Sequence, residues 1–445
     1  MSTLKANTIT NSDGTGPPSF PFGFNTGTGG SSPINNIGVM GQQGACVGIC
    51  PGPLPTGFAE MFGTKDPASD NYGNYIYVPD GSVMVWRPAH YEKIGTGVNG
   101  LAVNVIDIKP FSYFASVAAA NAAGYSLPRS FYDAGAIQPG YFEDKYVCSN
   151  NGGVASSLKN GNPLSSAADH NPFSGLTGAP PNAYYGAIQA AKTRGSRFFP
   201  RSRFMQATAA KLSIAHGQAA TSNAFCAWYD GARVINFPKG CNNNALGDVN
   251  DAAIRYVSDG YSNCGKTGSA NLFARCTDNG QNCGQADVNG LVWEIGLGCM
   301  TIGAQAYVAK LTAAMKDFTG GNTLATDHWG AAGAAALFDA ITLVSGTANN
   351  FFGNGGNQVL SEATAGDAWK LTGLGFPKDV NAISGAGAAL FGNDYYYNQT
   401  VSTEMCLLSS GSWADSGGAG ASAVYLVGSR GASSSDVSFR CACYL

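Results

Sequence analysis

Charge is scarce in this chain: 12% of its 445 residues are Asp, Glu, Lys or Arg, and 25 basic against 28 acidic side chains leave a formal charge of -3. So even a balance provides no broad positive field to hold nucleic-acid phosphates or an anionic membrane surface, and neither is an expected partner. Long apolar runs are also missing. No window reaches about 18 uninterrupted apolar residues, which argues against membrane insertion, and the first residues have no apolar core of signal-peptide length. The chain is therefore expected to be made in a cytoplasm and not exported by a standard signal. Histidine is limited to His90, His170, His216 and His328, each more than 40 residues from the next. No two share a helical turn, so they read as core or surface residues and not as a metal cluster. A repeat of roughly 20 to 50 residues is lacking as well, which disfavours a solenoid or propeller.

What is present points to a globular, loop-rich protein. Hydrophobic residues make up 44% of the chain, enough for a substantial core, and 61 glycines predict many tight turns under a neutral surface. The 12 cysteines form no paired CxxC array: three residues separate Cys46 from Cys50 and one separates Cys441 from Cys443. Zinc is disfavoured on that spacing. Buried thiols are one reading, and disulfides within 226–299, formed outside the cell, are the other.

The opening segment differs from the rest: residues 7–16 are polar, Pro17, Pro18 and Pro21 break regular structure, and 27–33 is rich in glycine. Residues 1–80 are expected to be an arm and linker. Leu4, Ile9, Phe20 and Phe22 are apolar side chains on a polar, strand-forming stretch that another chain would bury, with a frayed terminus as the alternative. Period-two alternation over 102–108 and the β-branched and aromatic content of 82–86 predict a hairpin. Amphipathic helices are expected over 184–194 and 202–216, with Ser202 as N-cap and Gly217 as stop. Further apolar runs cover 301–318 and 330–344.

Two separated signatures occur in order: Asp287-Val288-Asn289-Gly290-Leu291-Val292-Trp293-Glu294, then Gly411-Ser412-Trp413 with Phe439-Arg440-Cys441 behind it. They resemble the asp-x-x-gly-x-val-trp-glu, gly-ser-trp and phe-arg-cys segments of formylglycine-generating-enzyme-like domains, which have the C-type-lectin-like fold. The stretch 140–148 resembles that family's early strand, and the two helices fall where it has its scaffold helices. The likeness covers about 81–300 and 406–445. It implies an α+β, C-type-lectin-like domain over 81–445, with about 300–405 as an inserted subdomain or oligomer contact. Separately, residues 2–17 resemble the opening of phage virion proteins of the tail-fibre and appendage type.

The family takes its name from a copper-dependent oxidase whose active cysteines lie close to the gly-ser-trp segment. Here Trp413 is followed by Ala414-Asp415-Ser416-Gly417 with no cysteine before Cys441, so no enzymatic activity is expected. Asp287 and Glu294 are expected to satisfy buried backbone donors. Asn243, Asp248, Asn250 and Asp251 place oxygens at short spacing, which suits a structural calcium ion; a turn whose side chains cap backbone groups is the other reading, and no further cofactor is expected. The segment 409–436 sets aromatic and polar side chains on a small-residue backbone, the composition of an adaptable binding surface. Its candidate contacts are Asp415, Ser416, Tyr425, Arg430, Ser433, Ser434, Ser435 and Asp436, and the resemblance implies a ligand-binding face there. Trp413, Phe439 and Arg440 match scaffold positions expected to be buried. The resulting expectation is a bacteriophage virion protein, a tail-fibre, spike or head-fibre adhesin. It would be a homotrimer attached to other virion proteins through its arm and would bind a host cell-surface glycan or protein. A capsid decoration protein that stabilises the shell without a receptor is the alternative.

Overall fold

Strand Ser82–Pro88 is buried on both faces, which is why its sequence lacks a clean polar–apolar alternation. In the computed structural model, which describes residues 37–178, 183–231, 240–318, 337–346 and 349–445, this strand pairs with Asn74–Tyr77 on one side and Gly140–Asp144 on the other. Cys441–Cys443 follows, then Phe199–Pro200, and Phe58–Glu60 edges the far side, giving six strands. One face of this sheet packs Trp86 and Phe58 on Phe142, with ring centroids 4.7 Å and 4.4 Å apart.

The expected hairpin partner is different. His90–Ile94 pairs with Ile106–Pro110, because Asn104 takes a left-handed φ of 62° and Gly95 N–H donates to the Val105 carbonyl, closing a turn just before Ile106. The proposed arm and linker also divides differently. Leu4, Ile9, Phe20 and Phe22 lie outside the described residues, but Ile37, Ala45, Cys46 and Val47 are buried, and the edge strand Phe58–Glu60 and its neighbour Asn74–Tyr77 come from 58–77. The glycines of this segment turn it tightly onto the body: Gly44, at φ 77°, donates its N–H to Gln281 Oε1 at 2.7 Å.

A second, nine-stranded sheet is centred on Trp293–Ile302. It forms a hairpin with Gln305–Ala309, pairs antiparallel with Cys406–Ser409 and takes Val437–Ser438 in parallel. The sheet continues through Val424–Tyr425, Tyr395–Tyr397, Asn350–Phe352 and Ile383–Ser384, while Phe338–Ile341 forms the opposite edge. The described strands of 300–405 are therefore part of this sheet. Its strands supply backbone partners to one another, and Phe338, Phe352 and Tyr396 enter the main core.

Helix Arg203–Ala219 begins as expected, with the Ser202 side chain accepting from Met205 N–H at 3.3 Å, but it runs past Gly217. It is buried on nearly every side instead of amphipathic. Its polar residues meet internal partners: Arg203 Nε donates to the Leu374 carbonyl at 2.7 Å, Lys211 pairs with Glu92, and His216 Nδ1 accepts from Gly41 N–H. Helix Ala183–Lys192 lies near the first expected position.

A chain of alternating buried charges joins the two sheets. Asp278 pairs with Arg87, whose Nε is 2.6 Å from Glu143, and Arg201 bridges Glu143 at 3.5 Å and Glu294 at 2.7 Å. Arg440 closes the series on Glu294 at 2.9 Å. Glu294 thus holds two guanidinium groups and not the backbone donors expected of it. Asp287 does accept one backbone donor, Gly268 N–H at 2.7 Å, alongside the Thr267 and Tyr256 hydroxyls. All twelve cysteines are buried in thiol form. The protein is a mixed α and β structure with open sheets, and among the described residues no helix is long and apolar enough to cross a membrane.

Candidate binding surface

The period of two in strand Tyr395–Tyr397 sends Tyr396 into the core against Phe352 and Phe376, and leaves Tyr395 and Tyr397 on the opposite face. Register extends this face across neighbouring strands. Phe351 stands opposite Tyr395 and Tyr397 opposite Tyr425, so four aromatic side chains form a half-buried row. Ring centroids are 4.7 Å apart for Phe351 and Tyr395, 6.0 Å for Tyr395 and Tyr397, and 5.0 Å for Tyr397 and Tyr425, the last pair stacked at 15°. Trp293, itself buried, closes the row 5.4 Å from Tyr425.

The loop after Cys406–Ser409 lies on this row because its residues are small. A Cβ on Gly418 would stand 1.9 Å from the Tyr395 ring, and one on Gly420 would stand 1.7 Å from Asp394. Asp415 fixes the turn by accepting from Ser412 N–H at 2.7 Å and Ser412 Oγ–H at 2.6 Å. Burial raises the Asp415 carboxyl's pKa, opposed by the Ser412 bonds, while Asp436 adds to the rise. The phenols of Tyr395 and Tyr425 are pushed up mainly by burial; Asp415 adds to the rise for both, after Tyr397 in the case of Tyr425.

Four of the eight expected contacts, Asp415, Ser416, Tyr425 and Asp436, gather here. Ser433 and Ser434 lie on a loop tied to Ser166, with Ser433 Oγ donating to its carbonyl at 2.6 Å and Ser434 N–H to its Oγ at 2.8 Å. Ser435 is half-buried beside them. Arg430 does not belong to the surface: it is 2% exposed and donates to the Thr301 carbonyl at 2.5 Å. Its burial follows from the backbone, since Arg430 N–H bonds the Glu404 carbonyl and draws this turn against the sheet. Phe439 and Arg440 are buried as expected, whereas Trp413 is only half-buried, against a small cluster that includes Cys241 and Leu291. Phe351, Tyr395 and Tyr397 were not among the expected contacts, although the run Tyr395-Tyr396-Tyr397 carries the signal of alternating aromatic faces.

The calcium candidates form a self-capped turn. Asn243 Oδ1 accepts from Ala245 and Gly247 N–H, Asp248 Oδ1 from Asn250 and Asp251 N–H, and Asp248 Oδ2 from Gly240 N–H. Asp251 pairs with Arg275 at 2.7 Å, and Asn250 is exposed. These oxygens accept from local donors, the pattern of the capping turn that was the other reading of this loop.

A different cluster, Asp144, Cys148 and Cys441, brings metal-ligating side chains together in the core. Arg194 already holds that carboxylate at 2.5 Å and 3.2 Å, and Cys441 N–H donates to it. No known protein family matches the chain, and no curated protein matches it.

Proposed function

We propose that the chain is a bacteriophage virion protein, an adhesin of the tail-fibre, spike or head-fibre kind that binds the host cell surface through a C-type-lectin-like domain. The row Phe351, Tyr395, Tyr397 and Tyr425 carries this reading. Rings already fixed by strand register lose little further freedom on binding, and tyrosine brings both apolar area and a hydroxyl to a contact. With Asp415 and Asp436 alongside, such a surface suits the flat faces and hydroxyl edges of a cell-surface glycan; a protein receptor is the second candidate.

Two features support the lectin-like part. Glu294 and Arg440, from signatures 146 residues apart, meet in one ion pair. Strand Cys441–Cys443 also lies between Gly140–Asp144 and Phe199–Pro200, so late and early segments close one sheet. A homotrimer held to other virion proteins through its N-terminal arm would add the weak contacts of three such faces.

The test is binding of the full chain to intact candidate host cells, compared with a Tyr397→Ala/Tyr425→Ala variant shown to remain folded. Saturable binding, weakened ~10-fold or more in the variant, is expected. Equal binding by both proteins would remove the aromatic row as the site. Failure to bind a host that the particle infects would move the role to capsid decoration.

A further inference from the structure

His170, Asp259 and Cys264 come from two loops, each pinned by an isolated bridge: Ser165 with Pro172, and Ser258 with Gly265. Their ligand atoms all lie within 4.8 Å of one another, and His170 Nε2 is 3.0 Å from Asp259 Oδ2. These two side chains are 5% and 0% exposed, and Cys264 is fully buried. At this separation Nε2 and Oδ2 face each other as an ion pair, but no well-aligned hydrogen bond satisfies either atom. Buried polar atoms that face one another without an aligned hydrogen bond, with a thiol within 4.8 Å of both, can share a cation that all three reach. The Tyr261 ring stacks on the imidazole with centroids 4.0 Å apart, and the Tyr261 hydroxyl lies 3.3 Å from Asp169, fixing the plane of His170.

We infer that His170 Nε2, Asp259 Oδ2 and Cys264 Sγ form a binding site for a zinc-class divalent cation. Zinc takes nitrogen and oxygen donors at about 2.0–2.2 Å and sulfur at about 2.3 Å, which sets tetrahedral donors roughly 3.3–3.7 Å apart, a spacing these side chains reach with small movements. A mixed nitrogen, oxygen and sulfur set selects a borderline-soft ion over calcium or magnesium. Solvent can fill the fourth corner, since Asp169, Ser258 and Gly260 are exposed or half-exposed around the cluster. The Asp144, Cys148 and Cys441 group differs because Arg194 supplies its positive charge. In the site proposed here a cation would clip two loops that are 89 residues apart in the chain, from His170 to Asp259.

The full chain, stripped with a chelator and dialysed, is titrated with zinc alone, and bound metal is counted in wild type, His170→Gln, Cys264→Ser and, as a control, Cys148→Ser. Circular dichroism confirms the fold of each. About one zinc per chain is expected in wild type and in Cys148→Ser, with loss from the other two. Cobalt in place of zinc should give the intense visible absorption of a tetrahedral thiolate site, abolished by Cys264→Ser. A folded wild-type protein that retains no zinc overturns the inference. So does retention by folded His170→Gln and Cys264→Ser, or loss confined to Cys148→Ser.

Discussion

His90 lies wholly inside the protein, with Nδ1 3.2 Å from the Pro88 carbonyl and its ring edge-on to Phe131. Burial lowers its pKa from 6.5 to about 3, and burial lowers that of His216 as well. His90 is therefore neutral in the folded protein above about pH 3, while the same side chain in the unfolded chain takes up a proton below about pH 6.5. Because the unfolded state binds more protons in that window, stability is complete above it and falls as acid is added, by up to about 1.4 kcal/mol per pH unit for His90, and the lowered pKa of His216 acts in the same direction. Urea unfolding at about pH 7.5 and 5.5 should show this drop, and His90→Gln should make it smaller. An unchanged drop in the variant would exclude His90 as a source. The spacing of the histidines left core and surface places open, and the fold puts His90 and His216 in the core, while His328 lies outside the described residues. The meeting of His170 with Asp259 and Cys264 was not legible, because no local spacing encodes a contact between two distant loops.

The turn Ser416–Gly418 belongs to the next scale up, since it sits on a strand far away in sequence. Gly418→Ala would drive a methyl group into Tyr395, whereas the Cβ of Gly417→Ala would meet open space. The first change is expected to cost about 1–3 kcal/mol and to weaken cell binding, and the second to leave both nearly unchanged. Urea unfolding with the cell-binding assay separates the two; equal behaviour would mean that the turn is not seated on the ring. The start of the long helix, which has a local signal, was read correctly, although the Gly217 stop was not. Ser202 caps its helix because a hydroxyl before a helical run satisfies an orphan N–H whatever the tertiary context. Elements set by distant partners were not. The apolar run over 301–318 has small residues that fit either period, and Gln305–Ala309 becomes a strand because Trp293–Ile302 offers it a partner. The aromatic row likewise depends on register among strands beginning at 350, 395 and 424.

At the scale of the whole molecule, the series Asp278, Arg87, Glu143, Arg201, Glu294 and Arg440 ties one sheet to the other through charges that have little water around them. Glu294→Gln would leave Arg201 and Arg440 sharing a neutral amide. The expected loss is about 3–5 kcal/mol, the cost of breaking a buried pair from one side. Tryptophan fluorescence and far-ultraviolet dichroism should follow the loss as one coincident urea transition. A change below about 1 kcal/mol would mean that the series contributes pairing specificity and little stability. The signatures containing Glu294 and Arg440 were visible in the sequence, but their ion pair became visible only with the fold.

The position of strand Cys441–Cys443 also has a consequence for how the molecule is made. Cys441 N–H donates to Asp144, 297 residues earlier, so Gly140–Asp144 leaves the ribosome long before its neighbour exists. At about 5–20 residues per second, the wait is roughly 15–60 s. During that interval an unpaired strand edge is open to neighbouring nascent chains. A product that stops before Cys441 would keep that edge exposed permanently, making such a truncation a route to aggregation and not merely to a shorter protein.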